Sequence, residues 1–354
     1  MYENTAYPIL KYRLPIMGLA ALWIFIFHES EHEWVKVYFS PQWLSSALYF
    51  IKRIGFCGVD IFLLLSGIGL VHSIEKHSLT SFYSRRLKRV FLPFFVVGLI
   101  RMFVDGWSLS TFLRKIFLYD FLFVNINSLL WFIPVILILY LFFPLYYKYF
   151  SNSRRKILFT LAAFTVWLVF SLLMKDTLRG DLYAFTNRIP IFLTGILCGW
   201  YMREEKLNFR RPWLFLFVGI FFVGLILAFL TNYRSLYLLV PISNCCVPTF
   251  LLATSCTVLA AEAFSLIDRF YIGKGILKIL SFFGKMSLEI YIVQEWLDDI
   301  LRPRLIPSYE SWINNFAFIN LAIAVCVFTA AFILYYFTKP RNFSIFSKLS
   351  KTAD

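Results

Sequence analysis

Ten times along its length the chain runs through fourteen or more mainly apolar residues. That repetition constrains the fold more than any single motif. The runs fall at about 14–31, 54–74, 90–106, 128–149, 157–174, 189–202, 213–231, 247–265, 277–297 and 313–337. A helix needs about 20 such residues to cross the hydrocarbon of a bilayer. The composition agrees: of 354 residues, 60% are hydrophobic and only 16% charged, far from a soluble domain. The sequence therefore predicts an all-α fold, a polytopic membrane helix bundle with about ten transmembrane helices. Residues 1–338 are expected to form the bundle and 339–354 a basic tail. No small-residue cleavage site follows the first run, so that run is expected to remain as the first span. Phe112–Val124 is too short and too charged to cross, and predicts an interfacial helix.

The net charge of +15 invites a nucleic-acid reading, but its distribution argues against such a partner. Ten spans put both termini on one side. Counted by segment, 22 Lys and Arg fall on that side and 11 on the other. Cytoplasmic segments carry the excess of Lys and Arg. Both termini are therefore expected in the cytoplasm, in a multi-pass protein of the cell (inner) membrane. His28 then lies toward the outer face and Arg85–Arg89 toward the inner one. The six cysteines form no C-x-x-C pair and read as small buried hydrophobes, not as a disulfide framework or a metal site.

The first run ends abruptly in His28-Glu29-Ser30-Glu31-His32. Ionisable groups at membrane depth are costly and point to function. Histidine titrates near neutral pH, so His28 can act as a general base or nucleophile. Glu29, or a carboxylate from another helix, can orient its ring. A lone histidine here would read as an interfacial side chain snorkelling to water, and its context reverses that. The same residues match H-E-x-x-H, which on a helix offers His28 and His32 to zinc with Glu29 as base. A zinc-dependent intramembrane protease is thus the alternative reading. A third ligand is not evident, because His72 and His77 belong to the inner side, and no metal is assigned. A transporter is the third reading, and the chain shows no internal repeat to support it.

Asp60 lies within Gly55-Phe-Cys-Gly-Val-Asp-Ile-Phe-Leu-Leu-Leu-Ser-Gly67, where an unpaired charge would be expensive. Ser66 and Gly67 are small residues that permit close helix packing. Arg85, Arg86 and Arg89 lie in Ser81-Phe-Tyr-Ser-Arg-Arg-Leu-Lys-Arg-Val-Phe-Leu-Pro93. On a helix Arg85 and Arg89, and likewise Arg86 and Arg89, share a face. Guanidinium forks bind phosphate bidentately, and such a cluster equally suits anionic lipid headgroups. Trp131 reads as an interface anchor. Glu289 and Glu295 read as helix-to-helix hydrogen-bonding partners.

Taken in order, these segments resemble the acyltransferase-3 family of bacterial integral membrane acyltransferases. The resemblance rests on the G-L-x-A-L run ending in His28, on G-V-D-x-F-x-x-x-S-G and on R-R-x-x-R-x-x-x-P. Arg188-Ile-Pro-Ile-Phe-Leu-Thr-Gly195 and Gly284-Lys-Met-Ser-Leu-Glu-Ile-Tyr support it. It implies a ten-span protein that moves an acyl group, often acetyl from acetyl-CoA, to a carbohydrate hydroxyl at the outer face. It further implies that His28 is catalytic, with Asp60 or Glu29 orienting it, and that Arg85, Arg86 and Arg89 bind the CoA phosphates. The acceptor would be a surface or exported polysaccharide or a glycolipid, giving O-acetylation in the cell envelope.

The chain departs from the family pattern in places. Met17 stands where a basic residue is usual, and Arg13, one turn earlier, is a candidate replacement. Gln294 stands where many members have a histidine. No extracytoplasmic hydrolase-like domain follows the last run, so any acceptor-specifying domain is expected on a separate extracytoplasmic partner protein.

Overall fold

The computed structural model describes residues 6–28, 41–76, 78–124, 130–174, 180–204, 212–234, 246–305 and 309–339. Among these residues there are fifteen α-helices and no strand. They are α1 (Ala6–Lys11), α2 (Arg13–His28), α3 (Gln42–Arg53), α4 (Cys57–Ile74), α5 (Leu79–Val104) and α6 (Leu109–Ile116). Next come α7 (Phe132–Asn152), α8 (Lys156–Leu173), α9 (Gly180–Thr186), α10 (Ile189–Arg203) and α11 (Pro212–Arg234). The last four are α12 (Cys246–Ile267), α13 (Tyr271–Lys285), α14 (Ser287–Leu305) and α15 (Tyr309–Thr338).

Among the described residues six helices are long and apolar enough to cross a membrane: α4, α7, α8, α12, and the apolar parts of α11 and α15. The other expected spans take different forms. α2 is apolar but has 16 residues. α10 has 15. The third span is the second half of the 26-residue α5, whose first half carries the arginines. The ninth, expected as one helix over 277–297, is two: α13 ends at Lys285, Met286 leaves helical geometry (φ −108°, ψ 19°), and α14 starts at Ser287. The stretch expected at the interface is α6, followed by a π-helical turn at Asp120–Val124. Ser108 caps α6, its Oγ accepting from Thr111 N at 3.2 Å. The helix buries Phe112 and Ile116 and leaves Leu109 and Leu113 exposed.

α4 forms the centre of the bundle. It is apolar all round, as a fully enclosed helix must be, and 14 of its 18 residues are buried. Outer helices instead turn large apolar side chains outward, among them Leu173 on α8, Phe215 on α11 and Phe318 on α15. In water such patches would drive association; against lipid they are the expected surface.

Two close crossings set the geometry around the site. Where α2 meets α13, a Cβ on Gly18 would run into Leu280 O, and one on Gly284 into Leu14 O. Where α4 meets α10, a Cβ on Gly195 would run into Leu64 O and one on Gly67 would lie 2.6 Å from Phe192 O. Small residues let membrane helices approach backbone to backbone. α4 runs antiparallel to α2, with Gly58 beside Ile24 and Gly69 beside Arg13. Two further hydrogen bonds tie the junction of α1 and α2 to the residue after α12: Lys11 Nζ and the Tyr12 hydroxyl donate to Asp268 Oδ2 at 2.8 and 2.7 Å. The Lys11 hydrogen bond holds the Asp268 carboxyl below the usual carboxylate range.

Candidate active site

A cavity of about 340 Å³ lies between α2, α4, α5, α7 and α14, with the end of α13 and one residue of α15 also lining it. One end is cationic, with Arg13, Arg86, Arg89 and Lys285 beside Tyr140 and Tyr335. The other end is formed by Ile24, Val59, Phe62, Phe132, Tyr291 and Gln294. From Arg13 to Ile24 the helix rises about 16 Å, so the cavity is a slot along the bundle, with its charge at one end.

The three arginines of the α5 cluster occupy different settings. Arg89 is committed to Glu289, a fully buried carboxylate on α14. Its Nη1 bonds Glu289 Oε1, and its Nη2 donates to Glu289 Oε2 at 3.0 Å and to Lys285 O at 2.8 Å. Glu289 thus joins α14 to α5, the helix-to-helix role its sequence position suggested. Pro93, four residues on, has no N–H to offer the Arg89 carbonyl. Arg86 has no carboxylate partner among the described residues. Its guanidinium lies 5.7 Å from the Phe82 ring centre and 5.8 Å from that of Tyr140. Arg85 is exposed, folds back on its own helix to Ser81 O at 3.2 Å, and does not line the cavity.

Arg13 and Met17 both face this cavity. Arg13 Nε contacts Leu65 O at 3.4 Å, and its guanidinium lies over Gly69, where a Cβ would come within 3.2 Å. α2 therefore delivers a cation to the same space one turn before Met17.

His28 is the last residue of α2. Its side chain is 25% exposed, and Nε2 lies 4.0 Å from Oε1 of the buried Glu295 on α14. The neighbouring Gln294 donates from Nε2 to Phe25 O at 2.9 Å, tying α14 to the last turn of α2. His28 does not line the cavity, whereas Ile24, one turn earlier, does. The open space that begins at Arg86 therefore extends toward His28 only as far as Ile24 and Gln294. The aromatic pairs Phe62–Phe132 and Phe132–Tyr291, with centroids 6.4 and 5.7 Å apart, pack at that end. Glu29 and His32 lie outside the described residues, so the zinc motif does too.

Asp60 sits in the first turn of α4 and is buried. Its Oδ2 is 3.8 Å from Nε of Arg188, the residue that precedes α10. Neither atom has a hydrogen bond among the described residues, and Asn187 Oδ1 is likewise buried without one there. Arg188 donates from Nη1 to Ala184 O at 3.0 Å, and its guanidinium stacks 4.6 Å from the Trp131 ring centre. Trp131, read from the sequence as an interface anchor, thus covers a buried ion pair. Asp60, Arg188 and Trp131 gather at the starts of α4, α10 and α7.

Fold and site together define a helical, multi-pass membrane protein with a cation-ended slot in its core and a histidine–carboxylate pair one turn beyond it. The acyltransferase-3 family, described as an acyltransferase domain, matches residues 18–336, and the chain belongs to that family. It is a membrane acyltransferase. No curated protein and no solved structure matches the chain.

The sequence reading did not connect Glu295 to His28, Arg188 to Asp60, or Tyr140 to Arg86. Each residue carried some signal, as a carboxylate at membrane depth, an arginine opening the R-x-P-x-F-x-x-G segment and a tyrosine in a span. What was missing was which helices lie side by side.

Proposed function

We propose that the protein is an O-acyltransferase of the cell (inner) membrane, taking an acyl group, acetyl in the simplest case, from acyl-CoA to a carbohydrate hydroxyl. The observation that carries this reading is the polarity of the slot, cationic at one end and apolar toward His28. Arg86, with Arg13 beside it and Arg89 held by Glu289, would receive the donor's phosphates; charge-assisted bonds to phosphate are among the strongest available. The pantetheine arm would follow the apolar walls to Ile24 and Gln294. The basic end would face the cytoplasm with both termini, in keeping with the excess of Lys and Arg there.

His28 would act at the far end as general base, with Glu295 orienting the ring. It takes the proton of the acceptor hydroxyl while the oxygen attacks the thioester carbon. The C–O bond forms, the C–S bond breaks, and the thiolate leaves with the proton from His28. The aromatic and aliphatic layer of Ile24, Phe62 and Phe132 must shift for the acyl carbon to come within reach of His28, while Gln294 stays held by Phe25 O. Asp60 and Arg188, with unmet hydrogen-bonding capacity beside Trp131, suit a sugar hydroxyl, which donates to a carboxylate and accepts from a guanidinium. A sugar, glycolipid or exported polysaccharide would be delivered there, by a separate extracytoplasmic protein if one is needed. The test is mass spectrometry of surface glycans from cells with and without the gene. Acyl esters that disappear with the gene support the reading; an unchanged ester pattern together with no consumption of acetyl-CoA overturns it.

A further inference from the structure

We infer that Gln294 is a catalytic residue, binding the carbonyl oxygen of the donor's acyl group. This rests on the donor reading above and assigns a group that the sequence marked only as a departure from the family pattern. The far end of the slot is almost wholly apolar. Among its lining residues only Gln294 and Tyr291 carry polar side-chain atoms. Gln294 is 1% exposed, and its amide is oriented by one contact, since Phe25 O can only accept and must face the nitrogen. That leaves the second N–H of Nε2, for which no acceptor is present among the described residues.

A buried donor without a partner is unfavourable in the empty protein, and it becomes useful when negative charge develops beside it. A thioester carbonyl under attack builds charge on its oxygen. A fixed N–H in a water-poor site stabilises that charge without reorganising. The Phe25 contact fixes the amide plane before substrate arrives. The adjacent residue, Glu295, faces His28. The dipeptide Gln294-Glu295 therefore places one side chain at the acyl end of the slot and the other at the base. During transfer Gln294 neither gains nor loses a proton: C–O formation and C–S cleavage proceed as above, with His28 carrying the proton.

The experiment uses the purified full-length protein and acetyl-CoA carrying carbon-13 at the carbonyl. Three quantities are read: acetyl-CoA affinity, the infrared stretch of the bound carbonyl, and the rate of thiol release by hydrolysis, in which water takes the place of the acceptor hydroxyl and acetate is the acyl product. In the wild type the stretch should fall below that of free acetyl-CoA. Gln294→Met should keep affinity within about twofold, return the stretch to the free value and slow thiol release by about 10²-fold, the usual cost of one such donor. Gln294→His, which retains an N–H, should recover part of the shift. A merely structural role, holding α14 to Phe25, would leave the carbonyl stretch where it was in the wild type. A bound stretch that survives Gln294→Met, or that never differs from the free value, overturns this inference and leaves the donor reading intact. A wild type that binds no acetyl-CoA overturns both.

Discussion

His28 ends α2 with its Nε2 4.0 Å from Oε1 of Glu295, a buried carboxylate from α14. A carboxylate beside an imidazole can hold the ring in the orientation a general base needs. His28→Ala is expected to abolish acyl transfer while the protein still accumulates in the membrane. Glu295→Gln should lower the transfer rate by about 10- to 10²-fold, within the range for a general-base system. The check is thiol release from acetyl-CoA by each purified variant. A Glu295→Gln protein at wild-type rate would assign the orienting role elsewhere.

The arginine cluster should separate by function. Arg86→Ala and Arg13→Ala each remove a cation facing the slot. A hydrogen bond to a charged group contributes roughly 1.5–3 kcal/mol, so affinity for acetyl-CoA should fall by about 10- to 10²-fold. Arg89→Ala should instead unfold the protein readily, because it strands the buried Glu289; breaking such a pair costs about 3–5 kcal/mol. Arg85→Ala should change little. Thermal stability and acetyl-CoA binding, measured on all four, separate the two effects.

Asp60 and Arg188 are expected to behave as a coupled pair. Losing either partner leaves a buried charge, so Asp60→Ala and Arg188→Ala should each be strongly destabilising, by about 3–5 kcal/mol. The double variant Asp60→Asn with Arg188→Met should be less damaging than the sum of its two singles, by a measurable interaction energy. Additive losses in melting experiments would show that the 3.8 Å approach contributes nothing.

The crossing of α2 and α13 should tolerate no side chain. Gly284→Ala would press a methyl group on Leu14 O, and overpacking of this kind costs about 1–3 kcal/mol. Because Leu14 and Gly284 also line the slot, acetyl-CoA affinity should fall with stability. A folded Gly284→Ala protein with unchanged affinity would show that the crossing does not shape the slot.

The zinc alternative gives the opposite expectation from acyl transfer. Thiol release should survive a zinc chelator and His32→Ala. Loss of activity on chelation, restored by zinc, would favour the protease reading built on His28, Glu29 and His32.

The helical, multi-pass fold was legible because long apolar runs have few other uses. That Phe112–Val124 forms no long apolar helix was legible too, since Arg114 and Lys115 interrupt its apolar pattern; the helix that forms there starts earlier, at Leu109, and ends at Ile116. The break at Met286 was not. Gly284, Lys285 and Ser287 do not forbid a continuous helix, and only the packing of α13 on α2 shows where the chain turns. His28, Asp60 and the arginines stood out as charges among apolar residues. Their partners did not, because lateral neighbours in a bundle leave no trace in spacing. Arg89 and Glu289 are 200 residues apart. The closed end of the slot was equally hidden, since Phe62, Phe132 and Tyr291 look like any other core aromatics until their rings are placed.

The most direct measurement follows labelled acetyl from acetyl-CoA into surface glycans in cells carrying the wild-type, His28→Ala or Arg86→Ala protein at equal membrane levels. Label should enter glycan esters with the wild type, vanish with His28→Ala, and return for Arg86→Ala only when acetyl-CoA is raised. Undiminished labelling with His28→Ala would contradict the mechanism at its centre.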